Sequence, residues 1–194
     1  MIEAELKARV KEPRRVTALL GKRARSRREL YRDTYYDRPD GSLATAGEEL
    51  RVRTIDGESS SRTVLTFKAA TVDAESGSKP EHETVVDDAD AAHAILRGLG
   101  YVETIAFEKQ CRNYAFETHG RHMLVTLVRV PEIEGTFLEA ETLVSEGEVP
   151  QALSGIRAVL TDLGISDEDL TRETYTDAVA RRRRRGRLAH GRGT

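Results

Sequence analysis

Residues 2–10 read Ile-Glu-Ala-Glu-Leu-Lys-Ala-Arg-Val, a strict alternation of apolar and charged side chains. A period of two predicts a β-strand with one apolar face and one charged face. Glu3, Glu5 and Lys7 share the charged face, and two carboxylates at positions i and i+2 stand only about 7 Å apart there. This first strand introduces a pattern that later strands repeat.

Charged or polar pairs at positions i and i+2, with apolar neighbours on the opposite face, recur along the chain. They are Glu3/Glu5 followed by Lys7, Arg51/Arg53, Thr66/Lys68, Glu81/Glu83 and Glu139/Glu141. Any single pair is typical of a strand whose polar face meets solvent. A closed barrel with a charged interior explains the whole set together. Because carboxylates bind divalent cations and basic groups bind phosphate oxygens, the pattern indicates a metal and a phosphorylated ligand inside such a barrel.

The remaining periodicities predict about eight strands and several helices. The strands are expected at 2–10, 29–37, 48–53, 62–70, 81–86, 101–118, 121–130 and 136–144. The helices are expected at 13–24, 89–98, 148–163 and 167–180. Most strands follow one another through hairpins, which favours an antiparallel sheet. The predicted fold class is therefore α+β, an eight-stranded, mainly antiparallel, closed β-barrel with helices packed outside.

The composition agrees with a polar interior and restricts the class of protein. Hydrophobic residues are 38% and charged residues 33% of the 194, which is lean for one large apolar core. A single cysteine, Cys111, excludes an intrachain disulfide and a cysteine-based zinc site. No apolar run approaches the roughly 20 residues of a membrane span, and the strand pattern begins at residue 2. We therefore expect a cytoplasmic protein with no membrane partner and no signal peptide.

The charge of the chain is uneven. The net charge is −2, but residues 181–194 carry seven arginines and no acid, so the remainder has 24 basic and 33 acidic residues. We interpret residues 1–180 as one folded domain and residues 181–194 as a basic, disordered tail. Weak binding of nucleic acid or anionic surfaces is the alternative for the tail, and no other nucleic-acid partner is expected.

The ordered series of motifs resembles the CYTH domain family, whose members are triphosphate tunnel metalloenzymes. Glu3-x-Glu5-x-Lys7 is similar to the ExExK signature of that family. The likeness continues through residues 34–37, 50–53, 65–68, 81–83 and 135–141, and it ends at 173–177. Within the family, the chain most resembles the class IV adenylate cyclases.

The resemblance implies a tunnel that holds Mg²⁺ or Mn²⁺ beside ATP or another triphosphate. The residues implied as metal-binding are Glu3, Glu5, Glu81, Glu83, Glu139 and Glu141, where Glu81 and Glu83 lie beside the metal or orient basic residues. The residues implied as phosphate-binding are Lys7, Arg51, Arg53, Lys68 and Arg112. Catalysis is expected to involve Glu3, Glu5, Lys7, Glu139 and Glu141. Dimers are common among the cyclases that the chain resembles, but the sequence leaves open whether this chain forms a homodimer.

One departure from the family pattern lies on the strand at 101–118. The family has a Lys-x-Arg pair, whereas here Lys109 and Arg112 are three residues apart, so only one of them faces the tunnel unless a bulge intervenes. A two-residue turn at residues 119–120 would pair Arg112 with Leu127. We expect this register, with Arg112 rather than Lys109 facing inward.

A second departure is Arg129, which stands where the family usually has an aspartate. The register that pairs Arg112 with Leu127 also pairs Gln110 with Arg129. We expect Arg129 to enter the tunnel and bind phosphate. The alternative is a strand shifted by one residue, which would leave Arg129 in solvent and give the carboxylate role to Glu132 or Glu134.

The sequence leaves three functions open. The leading one is an adenylate cyclase of class IV type, which converts ATP to cyclic AMP and pyrophosphate. The second is a hydrolase acting on tripolyphosphate or thiamine triphosphate. The third is a nucleotide- or polyphosphate-binding module without turnover. No motif identifies the base or organic group of the substrate.

Overall fold

A computed structural model describes residues 1–72 and 78–190 of the chain. Its strands are β1 (Ile2–Arg9), β2 (Arg27–Asp37), β3 (Glu49–Asp56), β4 (Ser61–Lys68), β5 (Lys79–Val86), β6 (Val102–Thr118), β7 (Arg121–Arg129) and β8 (Phe137–Val144). Its helices are α1 (Pro13–Gly21), α2 (Ser42–Thr45), α3 (Ala89–Gly98), α4 (Val149–Asp162) and α5 (Tyr175–His190). Over these same residues, none of the helices combines the length and the apolar character that a membrane-spanning helix requires.

The strands close into a barrel in the order β1-β5-β4-β3-β2-β6-β7-β8, and every neighbouring pair is antiparallel. The helices pack around the outside, so the predicted fold class is confirmed. The β6–β7 hairpin turns at His119 and Gly120, whose φ angles of 50° and 68° match a two-residue turn of the type that hairpins favour. This turn fixes the register in which Arg112 faces Leu127 and Gln110 faces Arg129, as the sequence predicted.

One part of the apolar core lies outside the barrel, between its wall and the helices. A second cluster, which includes Tyr31, Phe107 and Val128, lies on inner faces of the strands. On β1 the outward side chains Ala4, Leu6 and Ala8 are buried, and the two alanines have no exposed surface. Helix α4 packs on β1 and β8 through a stripe that includes Ile156. Strand β1 therefore turns its apolar face towards helices and its charged face towards the interior.

The C-terminal segment completes the barrel where two strands diverge. The ladder between β1 and β5 joins only Ile2 and Glu3 of β1. Further along β1, Ala8 pairs with Leu170, and the backbone N–H of Thr171 donates to the carbonyl of Lys7 at 2.9 Å. This contact brings the start of α5 to the barrel interior.

The last helix differs from the sequence prediction at both ends. A helix was expected at 167–180, but residues 167–169 form a 3₁₀ turn and α5 begins only at Tyr175, because the backbone at Leu170 and Thr171 pairs with β1 instead. Helix α5 then continues through the arginine run to residue 190, where a disordered tail was predicted. Arg183 anchors the run by donating to Glu132 at 2.6 and 2.7 Å. Residues 191–194 lie outside the described residues.

The packing of α4 on the barrel gives a first prediction. Ile156 is fully buried between α4 and the outer wall, so Ile156→Ala is expected to lower the free energy of unfolding by about 2–5 kcal/mol. The matched control is Leu153→Ala on the same helix, where the side chain is only partly buried and the loss should be smaller. Urea denaturation of both variants measures the difference, and equal losses would contradict the packing described.

Candidate active site

The barrel encloses a cavity of about 550 Å³. All ten charged residues of the i,i+2 pattern line it: Glu3, Glu5, Lys7, Arg51, Arg53, Lys68, Glu81, Glu83, Glu139 and Glu141. The carboxylates come from β5, β1 and β8, which are neighbours in the barrel, whereas most basic residues come from β3, β4 and β6. The cavity therefore has an acidic side and a basic side.

Three carboxylates form a tight group on the acidic side. Glu5 and Glu141 are directly paired across β1 and β8, and the carboxylate oxygens of Glu3, Glu5 and Glu141 lie within 4.8 Å of one another. Burial, followed by the charges of Glu139 and Glu3, raises the pKa of Glu5 to about 7. Burial, followed by Glu3 and Glu5, raises the pKa of Glu141 well above its usual value. A divalent cation fits this group, because it would relieve the repulsion between buried carboxylates and accept their oxygens as ligands.

Lys68 connects this group to the next strand. Its ammonium forms a short ion pair with Glu3 and lies 3.1 Å from Glu81. Burial opposes the positive charge of Lys68, but Glu3, Glu5 and Glu81 outweigh it and raise the pKa of Lys68 well above its usual value. Glu81 and Glu83 line the cavity but lie outside the three-carboxylate group, and Glu83 accepts a hydrogen bond from Thr66 at 2.9 Å.

A buried carboxylate holds the basic side in place. Asp33 accepts two hydrogen bonds from the guanidinium of Arg53, at 2.6 and 2.7 Å, and its side chain has no exposed surface. The ammonium of Lys109 lies 3.8 Å from the same carboxylate. Burial alone would raise the pKa of Asp33, but Arg53 and Lys109 outweigh it and lower that pKa. Asp33 therefore orients two cations towards the cavity.

Tyr175 of α5 reaches the cavity between two lysines. Its ring centre lies 4.6 Å from the Lys7 ammonium and 4.8 Å from that of Lys109. Burial, followed by the charge of Glu139, raises the pKa of Tyr175 well above its usual value, so its hydroxyl stays protonated. Burial opposes ionisation of Glu139, but Lys109 and Lys7 outweigh it and lower the pKa of Glu139.

A buried donor in the cavity has no partner among residues 1–72 and 78–190. It is the Nε of Arg51, whose guanidinium otherwise makes one long contact of 3.4 Å with Thr66. A buried donor without an acceptor costs roughly 1–3 kcal/mol, so an unsatisfied group of this kind indicates a ligand. Because the group is a donor on a buried cation, the ligand that fits it carries anionic oxygens.

The prediction that Arg112 binds phosphate in the tunnel is wrong. No bulge interrupts the pairing of β6 at Lys109–Arg112, so these two residues lie on opposite faces. Lys109 is buried inside, and Arg112 lies on the outer wall. The predicted register of β6 and β7 is therefore correct, but the inner face belongs to Lys109 and not to Arg112.

The same parity excludes Arg129 from the tunnel, because it lies on the outer wall beside Arg112. The alternative was right that Arg129 points to solvent but wrong about the cause, since the pairing of β6 and β7 is not shifted. Glu132 binds Arg183 outside the barrel. Pairing with the inward residues of β6 and β8 places Leu124, Thr126 and Val128 on the inner face of β7, so in the described structure β7 gives the tunnel no carboxylate.

Sequence reasoning placed Lys109 outside the cavity and did not identify Asp33 or Tyr175. Asp33 shares the inner face of β2 with Tyr31 and Tyr35, which line the cavity, so alternation along β2 indicates it once either tyrosine is placed inside. Tyr175 carries no such signal, because it reaches the cavity only through the pairing of the preceding segment with β1.

A closed barrel that buries a carboxylate group opposite a row of cations defines a tunnel for a metal and a polyanion. The CYTH domain family model matches residues 1–175, and the chain belongs to this family. The triphosphate tunnel fold of the family binds triphosphate substrates, and its enzymes use divalent metals.

Individual relatives resemble nearly the whole chain. "Putative adenylate cyclase MJ0240" of Methanocaldococcus jannaschii is 25% identical over 180 residues, which are 91% of this chain and 98% of that protein. The structure of the PH1819 protein from Pyrococcus horikoshii matches with a TM-score of 0.79 and 25% identity, covering 92% of this chain and 98% of that one. "Putative adenylyl cyclase HpAC1" from Hippeastrum matches with a TM-score of 0.66 and 18% identity, covering 93% of this chain and 95% of that one, and is described as revealing a dominant triphosphatase activity.

The role of Asp33 gives a second prediction. Asp33→Asn leaves Arg53 and Lys109 buried without their carboxylate, so it is expected to lower the free energy of unfolding by about 3–5 kcal/mol. Asp56→Asn is the matched control, because Asp56 pairs with the half-exposed Arg32 and its loss should be below about 1 kcal/mol. Denaturant unfolding of both variants measures the contrast, and a small loss for Asp33→Asn would contradict the anchoring role.

The pKa of Glu5 gives a third prediction. A carboxyl whose folded pKa is raised from 4.5 to about 7 stabilises the metal-free protein below about pH 4.5, and this stabilisation is lost as the pH rises through about 7. Binding of Mn²⁺ should strengthen over the same range, by up to about tenfold per pH unit for each proton released. Calorimetric titrations and thermal unfolding between about pH 6 and 8 test both trends. An affinity for Mn²⁺ that does not change with pH would contradict the assignment.

Proposed function

We propose that this chain is a divalent-metal-dependent enzyme that acts on a nucleoside triphosphate, and that its reaction is the conversion of ATP to cyclic AMP and pyrophosphate. The observation that carries the proposal is the placement of Glu3, Glu5 and Glu141 opposite a row of buried cations in one tunnel. A triphosphate with its metal has both the negative charge and the cation that these two sides complement.

The basic side would hold the phosphate chain. Arg51 presents a buried Nε that lacks an acceptor, and Arg53 and Lys109 stand beside it on Asp33. Tyr175 would add a neutral donor, because the raised pKa of its hydroxyl keeps the proton in place. Charge-assisted hydrogen bonds of this kind fix the orientation of phosphate oxygens. Lys7, between Glu139 and Tyr175, would complete the grip.

The acidic side would hold the metal through Glu3, Glu5 and Glu141, and Mg²⁺ or Mn²⁺ bound there would neutralise charge on the phosphates. In the cyclisation, the ribose 3′-oxygen forms a bond with the α-phosphorus and loses its proton, which ends on the leaving pyrophosphate. The bond from this phosphorus to the bridging oxygen breaks, and pyrophosphate leaves. The reaction needs no covalent intermediate with the enzyme, so the residues act by positioning and by electrostatic stabilisation.

The second candidate is a triphosphatase, in which water attacks the terminal phosphorus and orthophosphate leaves. One observation favours it. The relative HpAC1 shares the fold and is described with a dominant triphosphatase activity.

The proposal predicts the products. Incubation with ATP in Mg²⁺ or Mn²⁺ should give cyclic AMP and pyrophosphate in equal amounts, and excess chelator should abolish turnover. Tripolyphosphate and thiamine triphosphate are the comparison substrates. Orthophosphate as the main product from any of the three would select the triphosphatase, and binding without any product would select a module without turnover.

Variants of the metal-binding carboxylates test whether a loss of turnover comes from the loss of the metal or from unfolding. Glu3→Gln with Glu5→Gln should reduce turnover by about 10³-fold or more, since removal of groups that stabilise charge in the transition state has effects of this size. The fold should persist, because Lys68 keeps Glu81 at 3.1 Å and a like-charge repulsion is removed. Glu117→Gln with Glu134→Gln, at exposed positions, is the matched control and should keep full activity. Full turnover in the first variant would refute the metal assignment.

A further inference from the structure

The outer wall of the barrel carries a groove of about 790 Å³ between α1 and the strands β2, β6 and β7. Four arginines line this outer groove, namely Arg14 on α1, Arg28 on β2, Arg112 on β6 and Arg129 on β7. Leu30 and Leu127 line it with them. Side chains alternate between the two faces of β6 and β7, and the arginines of these two strands lie on the face opposite to Lys109. The groove is therefore on the opposite side of the strands from the tunnel.

Strand pairing places these arginines close together. Arg28 and Arg112 are directly opposite each other across β2 and β6. Arg129 pairs with Gln110, which makes it a diagonal neighbour of Arg112. Like charges directly opposite each other on neighbouring strands are destabilising. The pairing of Arg28 with Arg112 therefore lowers the stability of the chain when no ligand is bound.

No acidic group compensates this charge. Over residues 1–72 and 78–190, none of the four arginines forms a salt bridge or a hydrogen bond. Arg32, which lies on the same outer face of β2 as Arg28, does have acidic partners. It binds Asp56 and also Glu108, the latter at 3.3 Å. Acidic side chains of the outer wall therefore neutralise Arg32, whereas Arg28 has no partner in the described residues.

The carboxylates that also line the outer groove are mostly engaged elsewhere. Asp56 binds Arg32 and accepts from Ser61, and Glu29 accepts from Asn113 and Tyr31. Only Glu58, in the β3–β4 turn, lines the groove without a partner in the described residues. One free carboxylate faces four free guanidinium groups, although the chain as a whole carries a net charge of −2.

We propose that the outer groove is a second anion site, which binds a short polyphosphate chain, inorganic or carried by a nucleotide, independently of the tunnel. The guanidinium fork matches phosphate oxygens, and three neighbouring strands at about 4.8 Å spacing spread their arginines over roughly 10 Å. This span suits several consecutive phosphates on one ligand. The apolar surface at Leu30 and Leu127 offers space for the organic group of a nucleotide.

The test is a calorimetric titration of the full chain with tripolyphosphate and, separately, with ATP. The wild type should show two binding events, one in the tunnel and one in the outer groove. Arg28→Gln with Arg112→Gln and Arg129→Gln should weaken the second event by about tenfold or more and leave the first unchanged, since each arginine removed takes away charge-assisted hydrogen bonds. This variant should unfold at the same temperature or a higher one, because repulsion is removed.

The matched control changes three arginines of α5 that are exposed and lie away from the groove, Arg182→Gln with Arg184→Gln and Arg185→Gln. It alters the net charge equally and should keep both events. A stronger second event with tripolyphosphate identifies the inorganic ligand, and a stronger one with ATP identifies the nucleotide. The proposal is overturned if the wild type shows one event, if the groove variant keeps both, or if the control loses the second equally. Binding of single-stranded RNA through the groove arginines without tripolyphosphate binding would also overturn it.

Discussion

The balance of charge inside a closed barrel is the constraint on which the rest of this structure depends. The inner faces carry carboxylates and cations that cannot all meet bulk water, so each must find an opposite charge. Asp33 provides the central solution by holding Arg53 through two hydrogen bonds with Lys109 nearby. With the charges of β1 fixed inside, its outer face is left for apolar packing, which explains why α4 and α1 cover β1 from outside.

At two places in the cavity, buried charged or polar groups are not fully paired within the described residues. At Glu3, Glu5 and Glu141 three carboxylates meet, with Lys68 as the cation bound to Glu3. At Arg51 a buried donor lacks an acceptor within the described residues. A folded chain tolerates such groups only at some cost in stability, so their presence on facing sides of one cavity indicates a ligand pair of opposite sign. A metal with a triphosphate satisfies both sides at once.

Most of this arrangement could be predicted from the sequence, because strand alternation is a local property. Period two alone placed Glu5 and Arg53 on inner faces, and the turn at His119 and Gly120 fixed the register of β6 and β7. The choice between Lys109 and Arg112 could not be made from the register, since either face of β6 satisfies it. Lys109 faces inward because it pairs across the sheet with Tyr31 of β2, which lines the cavity. These two residues are far apart in the sequence, so local alternation does not reveal their pairing.

The C-terminal segment shows the limit of such reasoning more clearly. Nothing in the periodicity of residues 170–175 indicates that Leu170 pairs with Ala8 or that Tyr175 enters the tunnel. These contacts exist because the ladder between β1 and β5 ends after Glu3 and leaves the rest of that edge to be covered. This uncovered edge of β1 arises from the way the whole barrel closes, so it cannot be seen in the sequence of any single strand. The segment that fills it also brings a neutral donor between two lysines, so the closure of the barrel and the completion of the basic side depend on the same few residues.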